Sequence, residues 1–166
     1  MGKQVCTFVS VVTVVMAVLL CSVSPLHSAT KMPSFSLENV LTGAEVDSET
    51  FAGKSLLITF FATWCPPCIQ EIPNLIEVHN TFGPENFSVV ALSVDQEGRS
   101  VVKRIVEKKN INYPVMMADS SVTRDFGGVY GIPTSFLVNS RGNVVKKYTG
   151  YIPHSVLVND IKQVLQ

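Results

Sequence analysis

Charge is scarce in this chain, and sulfur is scarcer. Of 166 residues only 16% are Asp, Glu, Lys or Arg, and thirteen basic side chains against thirteen acidic ones leave a formal net charge of zero. No run of Lys and Arg interleaved with aromatics occurs, which argues against nucleic acid as a partner. Internal repeats, low-complexity tracts and long linkers are also missing. The length and a hydrophobic share of 46% therefore fit one compact domain plus a short extra segment.

The widest gap in charge explains the extra segment. No Asp, Glu, Lys or Arg stands between Gln4 and Thr30, Lys3 precedes the gap, and Val5 to Val23 is almost wholly apolar or small. A basic start, an apolar stretch and a small-residue region with Ser22, Ser24, Ser28 and Ala29 make an export signal, with cleavage expected after Ala29. The apolar stretch approaches the roughly 20 residues that span a bilayer, so residues 1–29 are read as a signal peptide or an uncleaved membrane anchor through residues 5–23. Lipid attachment at Cys21 is disfavoured by Leu20 before it, and N-myristoylation by Cys6 where Ser or Thr is needed. Either way the body of the protein, residues 33–166, is expected in the periplasm or on the extracytoplasmic face of the cell membrane. There it holds two of the four cysteines, Cys65 and Cys68.

What is present beyond the leader is an alternation of strand-like and helix-like segments. Phe35 to Asp47, punctuated by Thr42-Gly43, reads as a hairpin. Leu56–Phe61 and Phe87–Asp95 read as buried strands, and Pro66 to about Phe82 as a helix ended by Gly83-Pro84. Ser100–Lys109 shows one apolar face at helical spacing. A short strand at Val115–Met117 and a short helix at Val122–Tyr130 follow. Thr134–Val138 and Val144–Tyr148 form a second hairpin, and Ser155–Leu165 a closing helix that Ser155 is expected to cap. The sum is an α/β sheet of mixed direction.

The chemistry concentrates in Thr-Trp-Cys-Pro-Pro-Cys, Thr63 to Cys68. Cys65 follows a buried strand and opens a helix, where the helix dipole and free N–H groups favour a thiolate, so it is the expected nucleophile, exposed at the helix start. Cys68, one turn on and deeper, is placed to attack a mixed disulfide on Cys65 and release a reduced partner. Pro66 and Pro67 suit a first helical turn, and they also remove two amide donors from around the thiolate, which predicts a pair less oxidising than one with a donor-rich dipeptide.

Two thiols have other uses. A structural bridge closing so small a loop restrains the unfolded chain by only about 2 kcal/mol. A zinc site lacks ligands, because His79 and His154 stand at no ligand-like spacing, and haem attachment would need His where Ile69 stands. Copper bound by two thiolates, as in a metallochaperone, remains an alternative of a different class.

The motifs GKSLLITFFATWCPPC, Glu71-Ile72-Pro73, YGIPTSFLVNSRGNVV and Gly150 together resemble the thioredoxin superfamily, and within it the TlpA/ResA-like thiol:disulfide oxidoreductases, over roughly Pro33 to Leu165. The resemblance implies a thioredoxin-like fold: a mixed central β-sheet flanked by helices, with an N-terminal β-hairpin and a central strand–helix insertion at about Gln96 to Met117. It implies a cis bond between Ile132 and Pro133 facing the sulfurs, with the Ile132 backbone placed to pair with an extended client. Trp64, Pro66 and Pro67 would form the surface beside the pair, and Pro73 would kink the helix. Thr59 stands where thioredoxin has a buried aspartate, while Glu71 matches the acidic residue of the TlpA/ResA-like branch. Partly buried beside Cys68, that carboxyl would have a raised pKa and relay the thiol's proton.

The activity implied is reduction of disulfides in envelope client proteins, with no bound cofactor besides the redox-active Cys65–Cys68 disulfide. The family also implies a transmembrane thiol donor of the DsbD/CcdA type, and apocytochrome c, in cytochrome c maturation, is its commonest client. A thiol peroxidase of the same fold is disfavoured, because Ala62 stands where a Thr or Ser precedes a peroxidatic cysteine.

Overall fold

The computed structural model describes residues 30–166, so the leader, with its expected cleavage or anchoring, lies outside the described residues. Among the described residues seven strands and four α-helices follow one another as β1 (Ser36–Glu38), β2 (Glu45–Asp47), β3 (Ser55–Phe61), α1 (Pro66–Phe82), β4 (Phe87–Ser93), α2 (Arg99–Lys109), β5 (Val115–Met117), α3 (Ser120–Asp125), β6 (Thr134–Val138), β7 (Val144–Thr149) and α4 (His154–Val164). Five strands form one sheet in the order β5-β4-β3-β6-β7, and β1-β2 is a separate hairpin. β3 runs parallel to β4 and antiparallel to β6, so the sheet is mixed, as expected.

β3 and β4 are buried at every position, which is why their sequences SLLITFF and FSVVALS are nearly continuous apolar runs rather than alternating ones. Each face of the sheet has its own core. Leu57 and Phe61 point into a cluster closed by α1, α2 and α4 through Ile72, Val102 and Leu157. Leu56, Ile58 and Phe60 point the other way, into a cluster with Phe126, Phe136 and Met116, where Phe60 meets the rings of Phe126 and Phe136 at 5.3 and 6.1 Å.

The second face is covered by α3, through Val122 and Phe126, and by residues 30–40. Thr30 accepts the Val144 N–H and Met32 N–H donates to Gly142 at the β7 edge. At the opposite edge Val40 N–H donates to Val115 of β5. Between these ties Phe35 and Leu37 are buried in the second core. Residues 30–40 are thus a strap laid from one edge of the sheet to the other.

Two helices, α3 and α4, differ from the sequence expectation in ways that have a local cause. α3 begins at Ser120 because the Asp119 side chain accepts the Val122 N–H at 2.8 Å, and it ends at Asp125 because Gly127 and Gly128 take positive φ (80° and 75°), which turns the chain away. α4 begins at His154 with Pro153 in the cap position and no side-chain cap, so Ser155 lies inside the first turn and does not cap it. Pro153 already holds φ at −59°, a value that leads into a helix without a hydroxyl's help.

Candidate redox site

β3 delivers the site. The chain leaves its C-terminal end through Ala62, Thr63 and Trp64 and enters α1 with Cys65 as the N-cap. Pro66 and Pro67 fill the first two helical positions, so the first amide of the helix able to donate is that of Cys68, and it donates to Cys65 Sγ at 3.3 Å. Cys65 and Cys68 are joined as a disulfide, with Cα atoms 5.3 Å apart. The peptide bond between Ile132 and Pro133 is cis, and the Ile132 carbonyl oxygen lies 3.8 Å from Cys65 Sγ.

The expectation that Cys65 is exposed and Cys68 deeper does not hold in this oxidised form. Cys65 is 4% and Cys68 3% exposed. The Cys65 sulfur is bonded to its partner on one side and approached by the Ile132 carbonyl on another, which closes it off. Exposure belongs to its neighbours: Trp64 is 64% exposed, and Pro66 and Pro67 are also at the surface. Pro133 is buried and Ile132 half-buried.

Glu71 is 1% exposed, one helical turn beyond Cys68. Its Oε1 accepts the Ile152 N–H at 2.7 Å, a bond that ties α1 to the segment leading into α4. Burial pushes its carboxyl up to about 7, against the lowering effect of the Ile152 N–H. Glu71 and Cys68 line one small cavity of about 10 Å³ together with Thr59 and Tyr113. Thr59, in the place of thioredoxin's aspartate, is itself buried and accepts a hydrogen bond from Ser135 at 2.9 Å.

Three residues of this neighbourhood escape sequence reading. Asp95, buried just past β4, accepts the Thr63 N–H at 2.9 Å, the Thr63 hydroxyl at 2.6 Å and the Ser93 hydroxyl at 2.7 Å. An acidic residue closing an apolar strand in Leu92-Ser93-Val94-Asp95 is the available signal, since a carboxylate there needs partners. Tyr113 is buried between β4 and α1, its ring edge-on to His79 at 6.0 Å. Tyr130, two residues before Ile132, is 99% exposed. Among the described residues no cluster of three or more His, Cys, Asp or Glu surrounds the two sulfurs.

The family model described as Redoxin matches residues 27–165. The thiol-disulfide oxidoreductase ResA of Bacillus subtilis is 30% identical over 125 residues, which is 75% of this chain and 69% of that protein. A thiol:disulfide interchange protein of the thioredoxin family from Chlorobium tepidum is 37% identical, with a TM-score of 0.77 over 83% of this chain and 97% of that one. A second Chlorobium tepidum structure, a putative thiol:disulfide interchange protein DsbE, is 26% identical with the same TM-score, 0.77, and the same coverage of 83% and 97%. A Cys-Pro-Pro-Cys pair at a helix start, a cis proline opposite it and these likenesses agree, and the chain belongs to the Redoxin family, in the TlpA/ResA-like branch of the thioredoxin superfamily.

Proposed function

We propose that this protein is an extracytoplasmic thiol:disulfide oxidoreductase that reduces disulfides in client proteins of the cell envelope. The observation that carries the reading is the position of Cys65 Sγ: at a helix N-cap, accepting the Cys68 N–H, bonded to Cys68, and next to the Ile132 carbonyl. In the reduced protein the Cys65 thiolate attacks one sulfur of a client disulfide, forming a mixed disulfide and expelling the client's other sulfur as a thiolate. Cys68 then gives up its proton, its sulfur attacks Cys65, and the second client sulfur leaves. The client has gained two electrons and the protein holds its disulfide again.

Glu71 is the acceptor that suits the Cys68 proton, since its carboxyl titrates near neutrality and shares a cavity with that sulfur. Ile132 offers backbone to an extended client, while Trp64, Pro66, Pro67 and Tyr130 supply exposed apolar surface around it. Restoring the dithiol takes two electrons from outside the protein, a task for a transmembrane thiol donor of the DsbD/CcdA type, and apocytochrome c fits the client class. The relatives' names, thiol-disulfide oxidoreductase and thiol:disulfide interchange protein, support exchange rather than metal carriage.

Equilibration of the purified protein with graded ratios of reduced and oxidised dithiothreitol, followed by alkylation and mass spectrometry, tests the proposal. A reversible change of two alkylated thiols, mapped to Cys65 and Cys68, is expected. Stoichiometric retention of copper by the reduced protein, with no exchange, would transfer the reading to a metal carrier.

A further inference from the structure

The redox pair occupies one end of the sheet. β3 leads through Phe61 to Cys65 at that end, and at the other it begins with Ser55, directly after Lys54. β6 repeats the division, because Thr134 follows the cis proline beside the sulfurs whereas Val138 leads into the turn that holds Arg141. At this far end lies a cavity of about 340 Å³. Lys31, Lys54 and Arg141 bring three cations to its wall and Glu49 one anion, with Ser34 and Ser48 among its hydroxyl groups. Among the described residues none of these three cations is in an ion pair. Ser48 is 4% exposed and its oxygen accepts the Phe35 N–H, which fixes that wall to the strap.

The chain enters the fold at this cavity. The Thr30 carbonyl accepts the Val144 N–H, Met32 N–H donates to Gly142, and Lys31 Nζ donates to the Arg141 carbonyl at 2.6 Å. Three bonds thus hold the entry point at the cavity rim. Residues 24–29 separate it from the apolar run of residues 5–23, and six residues extend by at most about 20 Å. A bilayer that holds the apolar run therefore lies within that reach of Lys31.

We propose that this cavity seats the phosphate of an anionic phospholipid headgroup and so holds the domain on the membrane with its redox pair turned away. The inference rests on the membrane-anchored form of residues 5–23 and is independent of the exchange chemistry. A phospholipid phosphate carries a negative charge on oxygens that accept hydrogen bonds, and ammonium, guanidinium and hydroxyl groups are its fitting donors. Attraction of a cation to an anionic surface fades within about 10 Å, so the tether alone sets no orientation and the placement of the cations does. The seven residues of β3 span about 23 Å, which lifts Cys65 clear of the lipid and towards soluble clients. Exchange with a donor inside the membrane then requires the domain to leave its seat.

The full chain should be reconstituted in lipid nanodiscs made of phosphatidylcholine alone or of an equal mixture with phosphatidylglycerol. Acylation of each lysine by a neutral reagent is then followed by mass spectrometry. Lys31 and Lys54 should react about tenfold more slowly in the mixed discs, and Lys103 on α2, its side chain 42% exposed, at an unchanged rate. Arg141→Gln should restore most of both rates. It leaves the fold in place, because the Arg141 groups that bond to the rest of the chain are its backbone N–H and carbonyl. Equal slowing at Lys31, Lys54 and Lys103 would mean diffuse attraction and overturns the seat, as do rates that ignore the lipid while the chain stays in the discs. Slowing of the same size by inorganic phosphate in phosphatidylcholine discs would make the cavity a site for a free anion and overturns the lipid assignment. A chain that elutes apart from the discs overturns the anchored form and the seat together.

Discussion

Asp95 and Thr63 are joined twice, by the Thr63 N–H and by its hydroxyl, through the two oxygens of one buried carboxylate. The residue past the end of β4 therefore clamps the loop that carries Trp64 and Cys65 out of β3. Asp95→Ala leaves the Thr63 amide and the Ser93 hydroxyl without their acceptor, and loss of such buried partners costs about 1–3 kcal/mol. Lower resistance to guanidinium is expected, together with slower attack by Cys65 at every pH. Asp95→Asn keeps one acceptor oxygen and should fall between the two. Equal attack rates in all three proteins would confine Asp95 to a role in stability.

Glu71 gives a pH dependence whose sign can be worked out. Its folded pKa is raised from 4.5 to about 7, so between those values the native state holds a proton that the unfolded chain has lost. Stability attributable to this group is full below pH 4.5 and is lost as pH rises to about 7, by at most about 3 kcal/mol. Glu71→Gln retains an oxygen for the Ile152 N–H and should flatten this slope, making the variant the more stable protein at pH 8. Denaturant titrations at pH 5 and pH 8 that show equal slopes for parent and variant would mean that the carboxyl is not held near neutrality.

The two sulfurs have separate tasks. Cys68→Ser removes the resolving thiol and should accumulate covalent complexes with clients or donor in envelope fractions, seen as high-mass bands on non-reducing gels that vanish with reductant. Cys65→Ser should trap none. Trapping by Cys65→Ser alone would reverse the assignment, and the trapped bands identify the partners.

Pro67 withholds an amide at the second helical position, and the Cys68 N–H donates to Cys65 Sγ at 3.3 Å. Pro67→His returns a donor beside the thiolate and stabilises the reduced form. The midpoint potential should rise, by about 30 mV for each 1.4 kcal/mol gained. An unchanged potential would show that the prolines act through helix shape rather than through missing donors.

What could be read in advance follows from the range of each interaction. The bounds of α1, β5 and β6 were legible because their signals lie within the element: Pro66 at the start, Gly83-Pro84 at the stop, short apolar runs between turns. The pairing of Cys65 with Cys68 was legible for the same reason, being one turn of one helix. Glu71 was singled out by likeness to a family, but its tether to Ile152 spans 81 residues and has no local signature. Asp95 and Tyr113 have no local signature, because what matters in each is a neighbour on another element, and periodicity reports only a residue's own face. The burial of Cys65 is not legible in the sequence, because the carbonyl beside its sulfur comes from 67 residues away.

The strap of residues 30–40 has a consequence for the order in which the fold can close. It leads the described chain, yet its ties are to the far end: Lys31 Nζ donates to the carbonyl of Arg141, 110 residues later, and the Thr30 carbonyl waits for Val144. In a chain made from its N-terminus, the strap appears before every strand it must span. The part of the second core that Phe35 and Leu37 complete then stays open until β7 has formed. Contacts so distant along the chain close slowly, and the half-covered sheet is the species most prone to stick to its neighbours. Substitutions that loosen the strap should therefore lower the yield of folded protein more than they lower the activity of the molecules that mature.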